Sequence, residues 1–266
     1  MNKFSLLIMS SVTGLASVLA IGPAAQAAQC GNSAGGFEAW KASYARELSG
    51  KFSQRAISAL ESTSYAQATI NADRGQHSFH LSLPAFCAKR GCSIIASRGK
   101  KLKHQYAGLF ASIESSYGVP PGPLLAIWGM ETGFGAVAGH QNVLSAVATL
   151  AYDCRRTEYF TDQLNAALTL VDRGVFSAGT TGSMHGEVGQ TQFMPKTVLQ
   201  YGAGGSLDSA NGALQSTANF FKAHGWSRGG GYQPGESNYA VVREWNAASV
   251  YEEAIAKVGK EIDDAP

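Results

Sequence analysis

Ala126-Ile127-Trp128-Gly129-Met130-Glu131-Thr132-Gly133-Phe134-Gly135 closes an apolar run with one carboxylate set among glycines and aromatics. Leu124, Leu125 and Ile127 follow Pro120-Pro121, a pair suited to starting a helix. Trp128 precedes Glu131 by three positions, so a helix here places indole and carboxylate on one face. Gly133 and Gly135 predict its end. Apolar surroundings and the negative end of the helix dipole both disfavour an ionised carboxylate, raising its pKa toward the range of an acid catalyst. Glycines also let a bulky substrate approach the backbone. The decapeptide alone fits an ordinary glutamate at a helix C-terminus equally well, so the rest of the chain decides between the two.

Upstream, Phe37, Trp40, Tyr44 and Leu48 recur at helical spacing, and Ser53 is placed to cap a second short helix carrying Ile57 and Leu60. Tyr65 to Ile95 is less regular and reads as short helices and loop. Leu102, Tyr106, Leu109, Ile113 and Tyr117 predict one amphipathic helix closed by Gly118. Downstream, helical patterns run from Val143 to Tyr152 and from Glu158 to Val171. Asp208 is placed as N-cap of a further helix through Leu214 and Phe221 to His224. Gly202-Ala203-Gly204-Gly205 and Gly229-Gly230-Gly231 read as loops of the kind that shape a binding cleft on a helical scaffold. With no repeat and no Pro-rich linker, the pattern predicts one mainly α domain over 28–266.

Residues 1–27 stand apart from that domain. Lys3 makes a short basic start, Phe4 to Ile21 is apolar, and Ala25-Gln26-Ala27 offers a small-x-small cleavage site, so a signal peptide and export to the periplasm are expected. No later run is long and apolar enough to span a bilayer. Cys30 follows Ala27-Ala28-Gln29, which lacks the leucine of a lipidation site, so a soluble exported protein is the reading preferred. Four cysteines in an exported chain are expected to pair. Cys87 and Cys92 enclose only Ala-Lys-Arg-Gly and can close locally, which leaves Cys30 with Cys154, although four cysteines formally allow three pairings. No CxxC occurs, which argues against a thiolate metal site. A net charge of +2 is too small to argue for nucleic acid, and the mild basic excess suits an acidic polymer surface.

Gly182-Ser183-Met184-His185-Gly186-Glu187-Val188-Gly189-Gln190-Thr191-Gln192-Phe193-Met194-Pro195 mixes glycines and small polar groups with aromatic and sulfur side chains. Such a mixture suits sugar rings, whose hydroxyl edges take hydrogen bonds and whose faces stack on aromatics. Asn238 to Tyr251 again sets Asn and Tyr beside an aromatic. Taken in order, IWGMETGFG, ATLAYDCRRTEYF, GEVGQTQFMP, ANFFKAHGW and WNAASVY resemble the membrane-bound lytic transglycosylase B family of peptidoglycan lyases, from about Phe37 to Gly259.

That resemblance implies a lysozyme-like helical core that binds peptidoglycan glycan strands. It would cleave the N-acetylmuramic acid to N-acetylglucosamine bond without consuming water and leave a 1,6-anhydro ring. It implies Glu131 as the catalytic acid and then base, Ser183 and Gln192 near Glu131 and the N-acetyl groups, Asn246 and Tyr251 facing the reacting sugar, and Tyr159 lining the cleft. Phe134 joins these as a candidate substrate-binding residue beside Glu131.

The chain also departs from the family pattern. Where better-known members carry closely spaced aspartates for calcium, Tyr201 to Gly212 supplies only Asp208, so neither a metal nor a cofactor is expected. Glu187 stands at an often small, apolar position and reads either as a second cleft carboxylate or as a surface partner of Lys196. His77 and His80 lack a third ligand at sensible spacing. Arg155-Arg156 and Lys100-Lys101 read as solvent-facing charge. The alternatives are a hydrolytic muramidase, in which Glu187 or Asp153 helps activate water, and a peptidoglycan-binding protein without turnover.

Overall fold

The computed structural model describes residues 29–75, 81–246 and 248–266. The expected signal peptide, His77 and His80 therefore lie outside the described residues. The fold is helical: α1 (Phe37–Leu48), α2 (Gln54–Glu61), α3 (Gln67–Arg74), α4 (Leu83–Arg90), α5 (Cys92–Gln105), α6 (Ala107–Tyr117), α7 (Pro121–Thr132), α8 (Val143–Tyr152), α9 (Thr157–Asp172), α10 (Pro195–Tyr201), α11 (Ala210–Ala223), α12 (Tyr239–Trp245) and α13 (Ser249–Asp263). Among the described residues the only sheet is a two-stranded antiparallel pair, β1 (Gln141–Asn142) with β2 (Thr181–Gly182), in which Gln141 faces Gly182 and Asn142 faces Thr181.

α7 runs through the middle. It starts with Pro121 in its first turn, where a missing N–H costs nothing, and every residue from Gly122 to Met130 is buried. A helix apolar all round must be surrounded, and α5, α11 and α13 pack against it. Burying the Leu124, Leu125 and Ile127 side chains contributes roughly 1.5–3 kcal/mol each.

Two glycines set how close the neighbours come. A Cβ on Gly122 would lie 2.3 Å from the Gly259 carbonyl oxygen of α13, and one on Gly129 would lie 2.4 Å from Ile95 Cγ2 of α5. α13 also anchors the start of α7: Asp263 accepts from the Gly122 N–H at 2.7 Å and from the Tyr232 hydroxyl at 2.6 Å. This supplies an orphan donor of the first turn with a carboxylate at the positive end of the helix.

Several expectations hold at the level of single residues. Ser53 caps α2 by accepting from the Ala56 N–H, and α1 and α8 occupy the predicted spans. Two expectations need correction. The run from Leu102 to Tyr117 is two helices, because the backbone turns at Tyr106 (φ −106°, ψ 25°) and its ring packs edge-on against Trp128 at 5.9 Å. The apolar period passes through the turn unchanged, which hides the break. The cap of α11 is Ser209, whose hydroxyl accepts from the Gly212 N–H at 3.1 Å, and Asp208 lies one residue too early.

Cys30 bonds Cys154 across 124 positions, and Cys87 bonds Cys92. The long-range bond brings Gly31 beside the end of α8, where its N–H donates to the Tyr152 carbonyl at 2.9 Å. Arg155 and Arg156 are solvent-exposed, as expected, and also pair with the buried carboxylate of Asp73 on α3, while Arg74 pairs with buried Asp153 at 3.1 Å. These pairs connect α3 to the segment that holds Cys154.

Replacing Gly122 with Ala drives a methyl into the Gly259 carbonyl and the Asp263 carboxylate, so α7 and α13 must separate. Overpacking of this kind costs about 1–3 kcal/mol. Urea unfolding should show a lower midpoint with an unchanged slope; an unaltered midpoint would mean that the contact is not tight.

Candidate active site

Glu131 stands in the last turn of α7. The helix stops there because Gly133 takes the left-handed conformation (φ 59°), with its N–H donating to the Gly129 carbonyl at 3.0 Å. Phe134 follows with φ 64°, a conformation that costs a non-glycine residue about 1 kcal/mol or more. Packing holds it there: its ring meets Trp128 edge-on at 5.4 Å, and the Arg98 guanidinium lies 4.9 Å over its face. Thr132 ties this turn to the next loop, donating to the Gln190 carbonyl at 2.6 Å and accepting from the Gly135 N–H at 2.9 Å.

The Glu131 carboxyl keeps some solvent contact but is crowded by protein atoms on nearly every side. The Tyr251 hydroxyl from α13 donates to Oε1, and Trp245 Nε1 at the end of α12 approaches the same oxygen at 3.5 Å. Burial pushes the pKa up to about 7, and the negative charge of Glu187 adds to the rise. The Tyr251 and Trp245 donors and the Arg90 charge oppose it without cancelling it.

The second wall is the loop between β2 and α10. Val188 and Phe193 exchange backbone hydrogen bonds at 2.8 and 2.9 Å, closing a hairpin that carries Gly189 to Gln192 at its tip. Gln192 is, among the described residues, the other non-glycine residue with positive φ (55°); its side-chain amide donates to the Gly189 carbonyl at 2.8 Å and the Ala138 carbonyl at 3.3 Å. Both amide hydrogens are thereby used, and the amide oxygen is what Gln192 has left to offer. Ser183 and Glu187 close an adjacent turn, the Ser183 hydroxyl donating to Glu187 Oε2 at 2.7 Å. Lys196 pairs with Asp162 at 2.8 Å, so the alternative of a Glu187 to Lys196 surface pair is not what forms.

The remaining expected site residues are spread around this centre. Tyr159 is exposed on the first turn of α9, its ring edge-on to Phe160 at 5.0 Å. Asn246 is half-buried and accepts from the Ala248 N–H at 3.1 Å, shaping the entry to α13. Tyr251 is only 2 % exposed, so it meets Glu131 from behind rather than from the open side. Gly202 to Gly205 line a cavity of about 850 Å³ that also reaches Val188 and Gly189, and Glu131 is not part of its lining.

Two further residues at this centre, Trp245 and Arg90, are not among the expected site residues. Trp245 packs between Phe193 and Phe220 at 5.2 and 5.3 Å and turns its N–H to Glu131. Its place at the head of WNAASVY was the available signal. Arg90 lies over the Phe86 ring at 5.6 Å, and Phe86 packs edge-on against Tyr251 at 5.9 Å. Nothing in its local sequence marks it.

Residues 36–235 match the family described as Transglycosylase SLT domain. The chain belongs to this family. Membrane-bound lytic murein transglycosylase B of Escherichia coli (strain K12) is 37% identical to this SLT-domain chain over 134 residues, or 47% of this chain and 37% of that protein. The match thus spans little more than a third of the curated relative, and it agrees with the resemblance carried by the sequence segments.

SltB3 from Pseudomonas aeruginosa, solved in complex with NAG-NAM-pentapeptide, superimposes with a TM-score of 0.77 at 25% identity, covering 86% of this chain and 80% of that one. The Escherichia coli lytic transglycosylase Slt35 in complex with bulgecin A superimposes with a TM-score of 0.73 at 22% identity, covering 88% and 96%. The helical, lysozyme-like fold of these transglycosylases is the fold of this SLT-domain chain.

The Tyr251 hydroxyl stabilises the ionised form of Glu131, so Tyr251→Phe should raise the carboxyl's titration midpoint above about 7. NMR of the carboxyl carbon reads this directly. A midpoint that falls in the variant would mean that Tyr251 does not donate to Glu131.

Proposed function

We propose that the protein is an exported lytic murein transglycosylase that cleaves the N-acetylmuramic acid to N-acetylglucosamine β-1,4 bond of peptidoglycan with formation of 1,6-anhydro ends. The observation that carries this reading is one carboxyl of the cleft, Glu131, held by protein donors on one oxygen and poised near neutral pH. Both donors fall on Oε1, which leaves Oε2 to carry the exchangeable proton.

Protonated Glu131 gives that proton to the departing glycosidic oxygen as positive charge grows at the anomeric carbon. The carboxylate then takes a proton from the C6 hydroxyl of the same sugar as that oxygen closes on the anomeric carbon. No water is consumed, and the catalyst ends as it began. Because the nucleophile is tethered, the entropy of capturing a water is not lost, and the second carboxylate that most glycosidases require is not needed. Gln192, Asn246 and Tyr159 border the path of the glycan, with Phe134 beside Glu131. Asp153, the alternative water activator, is committed to Arg74 and is buried. Residues 1–27 act as a signal peptide that delivers the chain to the periplasm, where murein lies.

Glu131→Gln keeps the shape and removes the exchangeable proton, so lysis of purified sacculi should fall by at least about 100-fold with the melting temperature unchanged. In the unmodified protein kcat/KM should decline as pH rises through about 7, since the acid form of Glu131 is lost there. A Gln variant that clears sacculi at the parent's rate would remove Glu131 from the mechanism.

A further inference from the structure

A serine hydroxyl has one hydrogen to donate and two lone pairs to accept with. In Ser183 all three are used within its own turn. It donates to Glu187 Oε2 at 2.7 Å, and it accepts from the Glu187 N–H at 3.1 Å and the His185 N–H at 3.2 Å. The turn is fixed from outside as well. The Ser183 N–H donates to the Glu187 carbonyl at 2.8 Å, and Gly186 lies so close to α8 that an added Cβ would sit 2.6 Å from Val147 Cγ1. Ser183 therefore has nothing left for a ligand without breaking a bond it already makes.

Glu187 is in the opposite position. A carboxylate accepts about four hydrogen bonds, and Ser183 supplies one of them. Of the basic groups nearby, Lys196 pairs with Asp162 and Arg155 and Arg156 pair with Asp73, while the His185 imidazole in the same turn feels the Glu187 charge, and a carboxylate bonded to Ser183 keeps acceptor capacity beside it. Thr132 bonds this loop to the last turn of α7 through the Gln190 carbonyl, and the half-buried Glu187 lies near enough for its negative charge to act on Glu131, Tyr251 and Tyr159, which come from α7, α13 and α9.

We infer that Glu187, and not Ser183, is the polar group this loop presents to the glycan, as an acceptor for an N–H or O–H donor of the hexosamine lying against Glu131. Ser183 is then a positioning residue for Glu187. This inference rests on the reading of the cleft as a glycan site. It makes the loop selective for donors: a sugar offering an amide N–H or a hydroxyl is retained, and one offering only an acceptor is repelled.

The test is binding of peptide-free murein glycan strands to the full chain carrying Glu131→Gln, measured by calorimetry without turnover. Adding Glu187→Ala should weaken binding by about tenfold or more, the loss of one hydrogen bond to a charged acceptor. Adding Glu187→Gln, which keeps an oxygen for both Ser183 and the sugar, should restore affinity to within about threefold of the parent. Glu187→Met fills the same space without an acceptor and should match Ala, which guards against a loop disturbed by truncation. Parental affinity in the Ala and Met variants, or equal weakening by Gln and Ala, overturns the inference. If the wild-type chain releases nothing from sacculi while glycan binding still depends on Glu187 in this way, it is the catalytic reading that fails and the inference that stands.

Discussion

A carboxyl keeps its proton near neutral pH only where water is largely excluded and charge is not compensated, and the burial of α7 up to its last turn meets both conditions for Glu131. Every neighbour of α7 serves that burial. α13 closes on it through the Gly122 to Gly259 approach and delivers the Tyr251 hydroxyl, while α5 closes on it through Gly129 and Ile95. The left-handed Gly133 then ends the helix at once, so that the carboxyl meets the cleft rather than the core. Tyr251 and Trp245 hold the group without neutralising the effect of burial, and the outcome is an acid poised at about 7.

The hairpin opposite is built by the same logic of satisfied polar groups. Gln192 accepts an unfavourable backbone conformation because its amide is bonded twice to main-chain carbonyls, and Thr132 joins the hairpin to the end of α7. The two walls are thus one hydrogen-bonded unit, and a shift in either moves Glu131 relative to Gln192. The Cys30 to Cys154 bond and the pairs of Asp73 with Arg155 and Arg156 brace the far side of this unit, at the end of α8.

Much of this was readable from the chain because the signals are local. Pro121 and Gly133 bound α7, Ser53 caps α2, and the short Cys87 to Cys92 loop closes on itself. What escaped depends on contacts between distant positions. The turn at Tyr106 is drawn by Trp128, the solvent-facing Arg155 and Arg156 find a partner in Asp73, and Trp245 reaches Glu131 across more than a hundred positions. The identity of the α11 cap was ambiguous for another reason, since Asp208 and Ser209 are adjacent and both residue types cap well. For Ser183 the residue was legible and its bonding state was not, because saturation of a hydroxyl is a property of the folded turn.

The account stands or falls on a single carboxyl acting without water. Digestion of purified sacculi in heavy-oxygen water, followed by mass spectrometry of the released muropeptides, measures this directly. The account predicts 1,6-anhydro ends that carry no heavy oxygen from the solvent. Reducing ends labelled with solvent oxygen would contradict it and would make the protein a hydrolase.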